Sequence, residues 1–330
     1  MSKRIPKKIK KKCYESRSIK YRCDYSSTPL KVLQARGWAR VTDARDTSWD
    51  LWWCDTSELR CALDGSTKLR PNQRVAHYRN HSELTRKNYL YRNLRRYKRM
   101  LVKAGKRREA EFCDAMPTSF ELPSEYLLLV EEYRRRPGST WIVKPAAGSQ
   151  GRGIFLFRRL KELGEWRSTL TKCPGDPSSL EMDPMLAPPA PLDSYVVQRY
   201  IDDPYLLEGR KFDLRIYVLV TSFQPLKVWL AREGFARLSS EQFSLERIDD
   251  NRVHLTNMSI QLKARKQFEQ FRLAGGGVGG LGFDPRGEID EELRIRFGGK
   301  LALSSLWEYL TDRHGLEIVD QLLHNIAGSS

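Results

Sequence analysis

The chain has 330 residues, 40% of them hydrophobic, and a formal net charge of +17 at pH 7. That length can bury one or two cores, and no apolar run approaches the ~20 residues of a membrane-spanning helix, so a soluble protein with no membrane partner is expected. Cysteines at positions 13, 23, 54, 61, 113 and 173 show no C-x-x-C spacing, which argues against zinc and disulfides and fits a reducing compartment.

In chain order, Met1 to Lys12 carries seven Lys and Arg and almost no apolar side chain, so it does not read as a secretory signal. A basic, disordered arm is expected over 1–28. Residues 29–136 predict a mixed N-terminal and central domain of small sheet and helices, its four tryptophans serving as core. Within it, the stretch from Arg86 to Arg108 holds eleven Lys and Arg and no acid. Leu90, Leu94, Tyr97 and Leu101 keep helical spacing there, which predicts one stripe packed on the core and a basic face outward. Such a face attracts polyanions, either nucleic acid or acidic protein tails; an ordinary solvated helix face is the plainer reading. No zinc-finger, helix-turn-helix or RNP signature is present, so nucleic acid is not the expected partner.

Pro137-Gly138 marks the step into a core expected over 137–262. Trp141-Ile142-Val143-Lys144-Pro145 reads as a buried strand that delivers a lysine before a glycine-rich turn, Gly148-Ser149-Gln150-Gly151-Arg152-Gly153. Glycines let backbone N–H groups approach phosphate oxygens, and Lys144 supplies a charge against phosphate repulsion. The lysine precedes the glycines, so the turn is not a Walker A loop, and Ile154-Phe155-Leu156-Phe157 reads as a second strand, so it is not a dinucleotide fingerprint. A glycine hairpin over phosphates fits, beside the plain alternative of a structural β-hairpin. After a Pro-rich stretch, Cys173 to Pro191, expected to be a mobile loop, Ser194 to Ile201 reads as a strand whose end offers backbone groups to an adenine edge. Lys211 to Val220 alternates cleanly, with Phe212, Leu214, Ile216, Val218 and Val220 on one face and Lys211, Asp213 and Arg215 on the other. Those charges need partners, whether a phosphorylated ligand or an ion-pair ladder in which Asp213 neutralises its neighbours. A strand at Lys227 to Arg232, then Gly234-Phe235-Ala236-Arg237 and His254-Leu255-Thr256-Asn257 follow. The strands from 141 to 232 are mostly hairpin-connected, which predicts an antiparallel sheet flanked by helices. Residues 263–330 read as a glycine-rich insertion, Ala274 to Gly282, and a helical segment, Leu303 to Ile326.

The ordered series WIVKP, SQGRGI, QRYI, KFDLRIYVLV, GFAR and HLTN, preceded by Arg79 to Asn88, resembles the tubulin-tyrosine-ligase-like family over roughly residues 37 to 262, and Ile154 to Leu160 is similar to its glutamylase branch. The resemblance implies an α+β, ATP-grasp-like fold and an amide ligase that uses ATP to activate a carboxylate as an acyl phosphate, which an amine then attacks. It implies that Lys144, Gln150 and Gly151 hold phosphates, that Gln198, Arg199, Tyr200 and Ile201 line the adenine, and that Lys211 and Asp213 hold the ribose or base edge. Arg215 would reach the transferring phosphate, Arg237 would clamp the incoming amino acid's carboxylate, and His254, Thr256 and Asn257 would complete the site. Arg215, Arg237 and His254 form the implied catalytic set. Implied partners are acidic tubulin C-terminal tails, microtubules and free glutamate, with or without an auxiliary subunit, in the cytoplasm and cytoskeleton and at a cilium or basal body. Mg²⁺ is implied as well, but the family's carboxylate strand, approximately L-L-E-V-N-x-S-P beyond HLTN, has no match here, so the metal ligands are unassigned. The expectation is a chain lacking the metal strands whose activity is open; a catalytically inactive nucleotide- or microtubule-binding isoform is the alternative to a tubulin polyglutamylase.

Overall fold

The computed structural model describes residues 18–64, 69–148, 151–171, 194–262 and 299–329. The first 17 residues, Gln150, the Pro-rich stretch Cys173 to Pro191, the glycine-rich Ala274 to Gly282 and the acids from Asp284 to Glu292 lie outside the described residues. Two compact units result, Met1–Glu83 and Leu84–Ser330.

In the first unit, β1 (Lys20–Cys23), β2 (Ala39–Arg40), β3 (Leu51–Trp53) and β4 (Arg74–Val75) form a parallel sheet in the order β2-β1-β3-β4, joined by α1 (Thr28–Ala35) and α2 (Thr56–Asp64). The disorder expected through residue 28 is thus corrected for residues 20–23. Tyr21 and Cys23 alternate inward against Leu33, a pattern of two residues that is too short to stand out from its basic surroundings. Trp49 and Trp52 are core as expected, whereas the alternation of β3 turns Trp53 outward, 41% exposed.

The short α3 (Ser82–Thr85) crosses the boundary between the units, and α4 (Lys87–Lys103) and α5 (Arg107–Phe112) follow it. No Gly or Pro interrupts α4, which stops at Gly105 with φ 75°. Leu101 is buried and Leu90 and Leu94 are half-buried, but Tyr97 is 48% exposed and does not join the inward stripe. Next come β5 (Ser119–Leu122), α6 (Tyr126–Arg135), β6 (Trp141–Pro145), β7 (Phe155–Phe157), α7 (Leu160–Thr171) and β8 (Tyr195–Arg199). These strands make an antiparallel sheet in the order β5-β8-β6-β7, and β6 and β7 form the expected hairpin. Period two gives this sheet two faces. Trp141 and Val143 pack with Phe120, Phe157, Leu163 and Val197, while Ile142 and Lys144 face the other way.

Four further strands, β9 (Leu206–Leu207), β10 (Arg210–Arg215), β13 (Phe235–Leu238) and β14 (Lys300–Ala302), form a second antiparallel sheet in the order β14-β13-β10-β9. Its core face packs on α9 (Leu303–His314) and α10 (Leu316–Ser329), where Leu207, Ala236, Leu238, Leu301 and Leu306 are buried. The helical reading of Leu303 to Ile326 holds, split by Gly315 at φ 83°. The single strand expected from Lys211 to Val220 is corrected to two: β10 pairs with β13, whereas β11 (Val218–Phe223) pairs with β12 (Leu226–Leu230) in a separate hairpin. The apolar alternation continues through the break, so only the change of pairing partner reveals it. The short α8 (Asn251–His254) begins at Asp250, whose carboxylate accepts from the Arg252 N–H.

Candidate functional site

The face of β6 that carries Ile142 also carries Lys144, and it meets Leu156, Tyr200, Leu255 and Ile260. Strand geometry therefore places a lysine amid apolar packing. Its Nζ donates to Gln198 Oε1 at 2.7 Å, Gln198 Nε2 donates to Ser119 Oγ at 2.9 Å, and the Ser119 hydroxyl donates to the Pro117 carbonyl at 2.8 Å. With its own hydrogen committed to Pro117, the buried Ser119 hydroxyl can only accept from Gln198, which fixes the amide with its oxygen toward Lys144.

Lys211 on β10 stands opposite a second relay. Its Nζ donates to Tyr200 Oη at 2.6 Å and to the His254 carbonyl at 3.1 Å. Tyr200 Oη lies 3.0 Å from His254 Nδ1, and His254 Nε2 lies 2.9 Å from the Arg247 carbonyl. A carbonyl can only accept, so Nε2 carries the ring proton and Nδ1 receives the tyrosine O–H. Burial pushes the imidazole pKa below its ordinary value, keeping His254 neutral, and pushes the Tyr200 phenol up. Both ring nitrogens of His254 are engaged, so in this arrangement it holds Tyr200 and Lys211 in place.

The lysines are electrostatically frustrated. Burial pushes Lys144 from 10.5 down to about 8, with Lys87 adding to the shift. Lys211 also falls to about 8, through burial first and Lys144 second, against a smaller opposing pull from Asp213. A drop of this size corresponds to roughly 3 kcal/mol in favour of the uncharged form. Neither lysine forms an ion pair among the described residues. An anion would relieve both.

Two glycines define the walls. Gly151 has φ 79°, and a Cβ there would lie 2.8 Å from Ile260 Cδ1 and 3.3 Å from Asn257 Oδ1, so the glycine turn and the Thr256-Asn257 segment approach as only glycine allows. Lys87, at the start of α4, ties down the other end of the turn by donating to the carbonyls of Pro145 at 3.0 Å and Gly148 at 2.7 Å. The two desolvated cations and this cradle fit a polyphosphate.

Other expected residues are arranged differently. Asp213 and Arg237 face each other across β10 and β13, and the guanidinium grips the carboxylate with two hydrogen bonds, the one from Nε at 2.7 Å. Asp213 thus pairs with a cross-strand arginine rather than with Lys211 or Arg215. Arg215 is exposed at the end of β10. Of the backbone groups expected to be free at the end of β8, two N–H groups are not: those of Arg199 and Tyr200 donate to the carbonyls of Thr118 and Thr140, both at 2.8 Å, and Ile201 beyond them is 54% exposed. Thr256 is buried beside Leu255. Among the described residues no three His, Cys, Asp or Glu come together, and the metal ligands stay unassigned. Lys87 and Ser119 were missed from sequence. The first is one cation in a basic run, and the second lies 79 residues from the glutamine it orients.

The model of the tubulin-tyrosine ligase family matches residues 66–274. The chain is 40% identical over 325 residues to the "Probable tubulin polyglutamylase TTLL9" of Bos taurus, covering 94% of this chain and 64% of that protein. It is 36% identical over 327 residues to the "Probable alpha-tubulin polyglutamylase Ttll1" of Tetrahymena thermophila, covering 94% and 69%. With the "Probable tubulin polyglutamylase ttll-9" of Caenorhabditis elegans the identity is 42% over 246 residues, 74% of this chain and 54% of that protein. The chain therefore spans a little under two thirds of the length of the first of these relatives. Its motifs, its α+β fold of the ATP-grasp type and the matched segment agree, and the chain belongs to the tubulin-tyrosine ligase family.

Proposed function

We propose that this protein is an ATP-dependent amide ligase that adds glutamate to glutamate side chains of tubulin tails. The observation that carries the reading is the pair of half-buried lysines, Lys144 and Lys211, which form no ion pair among the described residues, beside the Gly151 turn. In this reading both lysines offset phosphate charge, Gln198 and Tyr200 hold them in position, and Thr256 and Asn257 close the wall opposite Gly151. Gln150, outside the described residues, is assigned to the same phosphate turn. Ile201 and the β8 end are assigned to the adenine side, and 137–262 to the catalytic segment.

ATP supplies the phosphoryl group that activates a γ-carboxylate of the acceptor. The amine of free glutamate then attacks the carbonyl carbon, the C–N bond forms as phosphate leaves with the C–O electron pair, and the amine gives up a proton. Arg237 is assigned to the incoming amino acid's carboxylate, which would take the guanidinium edge other than the Nε–Nη2 edge that Asp213 occupies. Arg215, exposed and without an ion pair among the described residues, is assigned to the transferring phosphoryl. Microtubules are the proposed partner and the cytoskeleton the proposed location, with the cilium as the finer proposal.

The test is incorporation of labelled glutamate into microtubules by this chain, with and without ATP, beside a direct measurement of ATP binding. ATP-dependent incorporation is expected. Nucleotide binding without incorporation would favour the non-catalytic nucleotide- or microtubule-binding reading, and absence of nucleotide binding would refute the site.

A further inference from the structure

On α4, Arg92, Arg96, Arg99 and Lys103 follow one another at spacings of four, three and four residues, which sets them on a single face opposite Leu94 and Leu101. All four are exposed, and none is within ion-pair distance of a carboxylate among the described residues. Their neighbours differ. Arg95 pairs with Glu125 and Lys98 with Asp114, so the cations of α4 divide into a quenched edge and an open stripe. Arg92 lies 4.8 Å over the Tyr89 ring, and Arg99 Nε donates to the Arg95 carbonyl at 3.4 Å, contacts that steady the side chains without neutralising them. Eleven residues of helix rise about 16 Å, and an extended chain covers that distance in about five residues.

We propose that this stripe is a docking rail for an acidic peptide, five or more residues of glutamate-rich chain laid along α4. The proposal rests on the ligase reading, whose acceptor and product are both runs of glutamate, and this favours a peptide over a nucleic acid. Tyr89, at the N-terminal end of the stripe, is already covered by Arg92, which leaves it unsuited to stacking a base. The rail holds the acceptor by charge and exchanges it readily, because exposed ion pairs are weak and screened by salt.

The experiment is fluorescence anisotropy of a labelled ten-residue polyglutamate peptide with the full chain, comparing Arg96→Glu/Arg99→Glu with a control of equal charge change on other helices, Arg135→Glu/Lys161→Glu. ATP affinity and the thermal midpoint are measured on the same samples. The rail variant is expected to bind the peptide at least fivefold more weakly, the control less than twofold, with ATP affinity unchanged in both. Arg96→Gln/Arg99→Gln should give an intermediate loss, which keeps the test valid if the charge reversal disturbs folding. Equal weakening in rail and control variants would reduce the effect to net charge and overturn the proposal. Unchanged peptide binding would overturn it while leaving the nucleotide reading intact. An oligothymidylate of matched charge that binds more tightly than the peptide, and is lost in the same variant, would assign the stripe to nucleic acid and overturn it too.

Discussion

Lys144 and Lys211 sit where water is scarce, and their depressed pKa values have a definite sign. The unfolded chain binds these protons up to about pH 10.5 and the folded chain only to about pH 8, so between those values the unfolded state carries more protons. Stability of the nucleotide-free protein from these groups therefore rises with pH across that window. Nucleotide binding runs the other way, because phosphate favours the charged lysines. Affinity for ATP should fall as pH rises from 7 to 9.5, and binding at pH 8.5 should take up protons, measurable by calorimetry in buffers of different ionisation enthalpy. A flat profile would mean that the lysines do not meet the ligand. The same argument predicts that Lys144→Met removes ATP binding yet raises the thermal midpoint at pH 7, since a desolvated cation is replaced by an apolar side chain of similar length. A lowered midpoint would show that the Gln198 contact outweighs the burial penalty. Each lysine was legible in the sequence as a polar residue on an apolar strand. That they share one desolvated space was not, because 67 residues separate them and only sheet packing brings them near.

At the scale of elements, the site depends on two close approaches. Gly151→Ala places a Cβ against Ile260 and Asn257 in a left-handed conformation, and should cost about 1–2 kcal/mol in stability together with a loss of ATP affinity. Gly234 is tighter, since a Cβ would fall 2.3 Å from the Arg215 carbonyl and 2.7 Å from Leu303 Cδ1. Gly234→Ala should displace β10 from α9 and cost about 3 kcal/mol or more, read by chemical denaturation, whereas Gly164→Ala on α7, where a Cβ meets nothing, should be neutral or stabilising. The hairpin of β6 and β7, the basic helix α4 and the helical ending were readable from period and composition. The division of Lys211 to Val220 was not, because periodicity reports which face a side chain takes and says nothing of which strand lies alongside.

At the scale of the whole molecule, every group assigned to the nucleotide, from Lys87 to Asn257, belongs to the unit that begins at Leu84. Scanning calorimetry with saturating ATP should raise the transition of that unit, by about 2.7 kcal/mol at a hundredfold excess over Kd, and leave the transition of residues 18–83 in place. A shift in both would bring the first unit into the binding reaction. The order of six motifs determined the family and the α+β class, and the strand that carries Lys144 into a glycine turn was readable with them, because strand period, glycine turns and isolated charges are local and survive in one dimension. Tertiary structure alone decided that Asp213 is held by Arg237, that both ring nitrogens of His254 are engaged, that Lys87 and Ser119 join the hydrogen bonds around Lys144 and its turn, and that four of the seven cations on α4 are exposed and form no ion pair among the described residues. Those facts are distances between residues remote in sequence, and partner choice, desolvation and charge pairing exist only once the chain has folded.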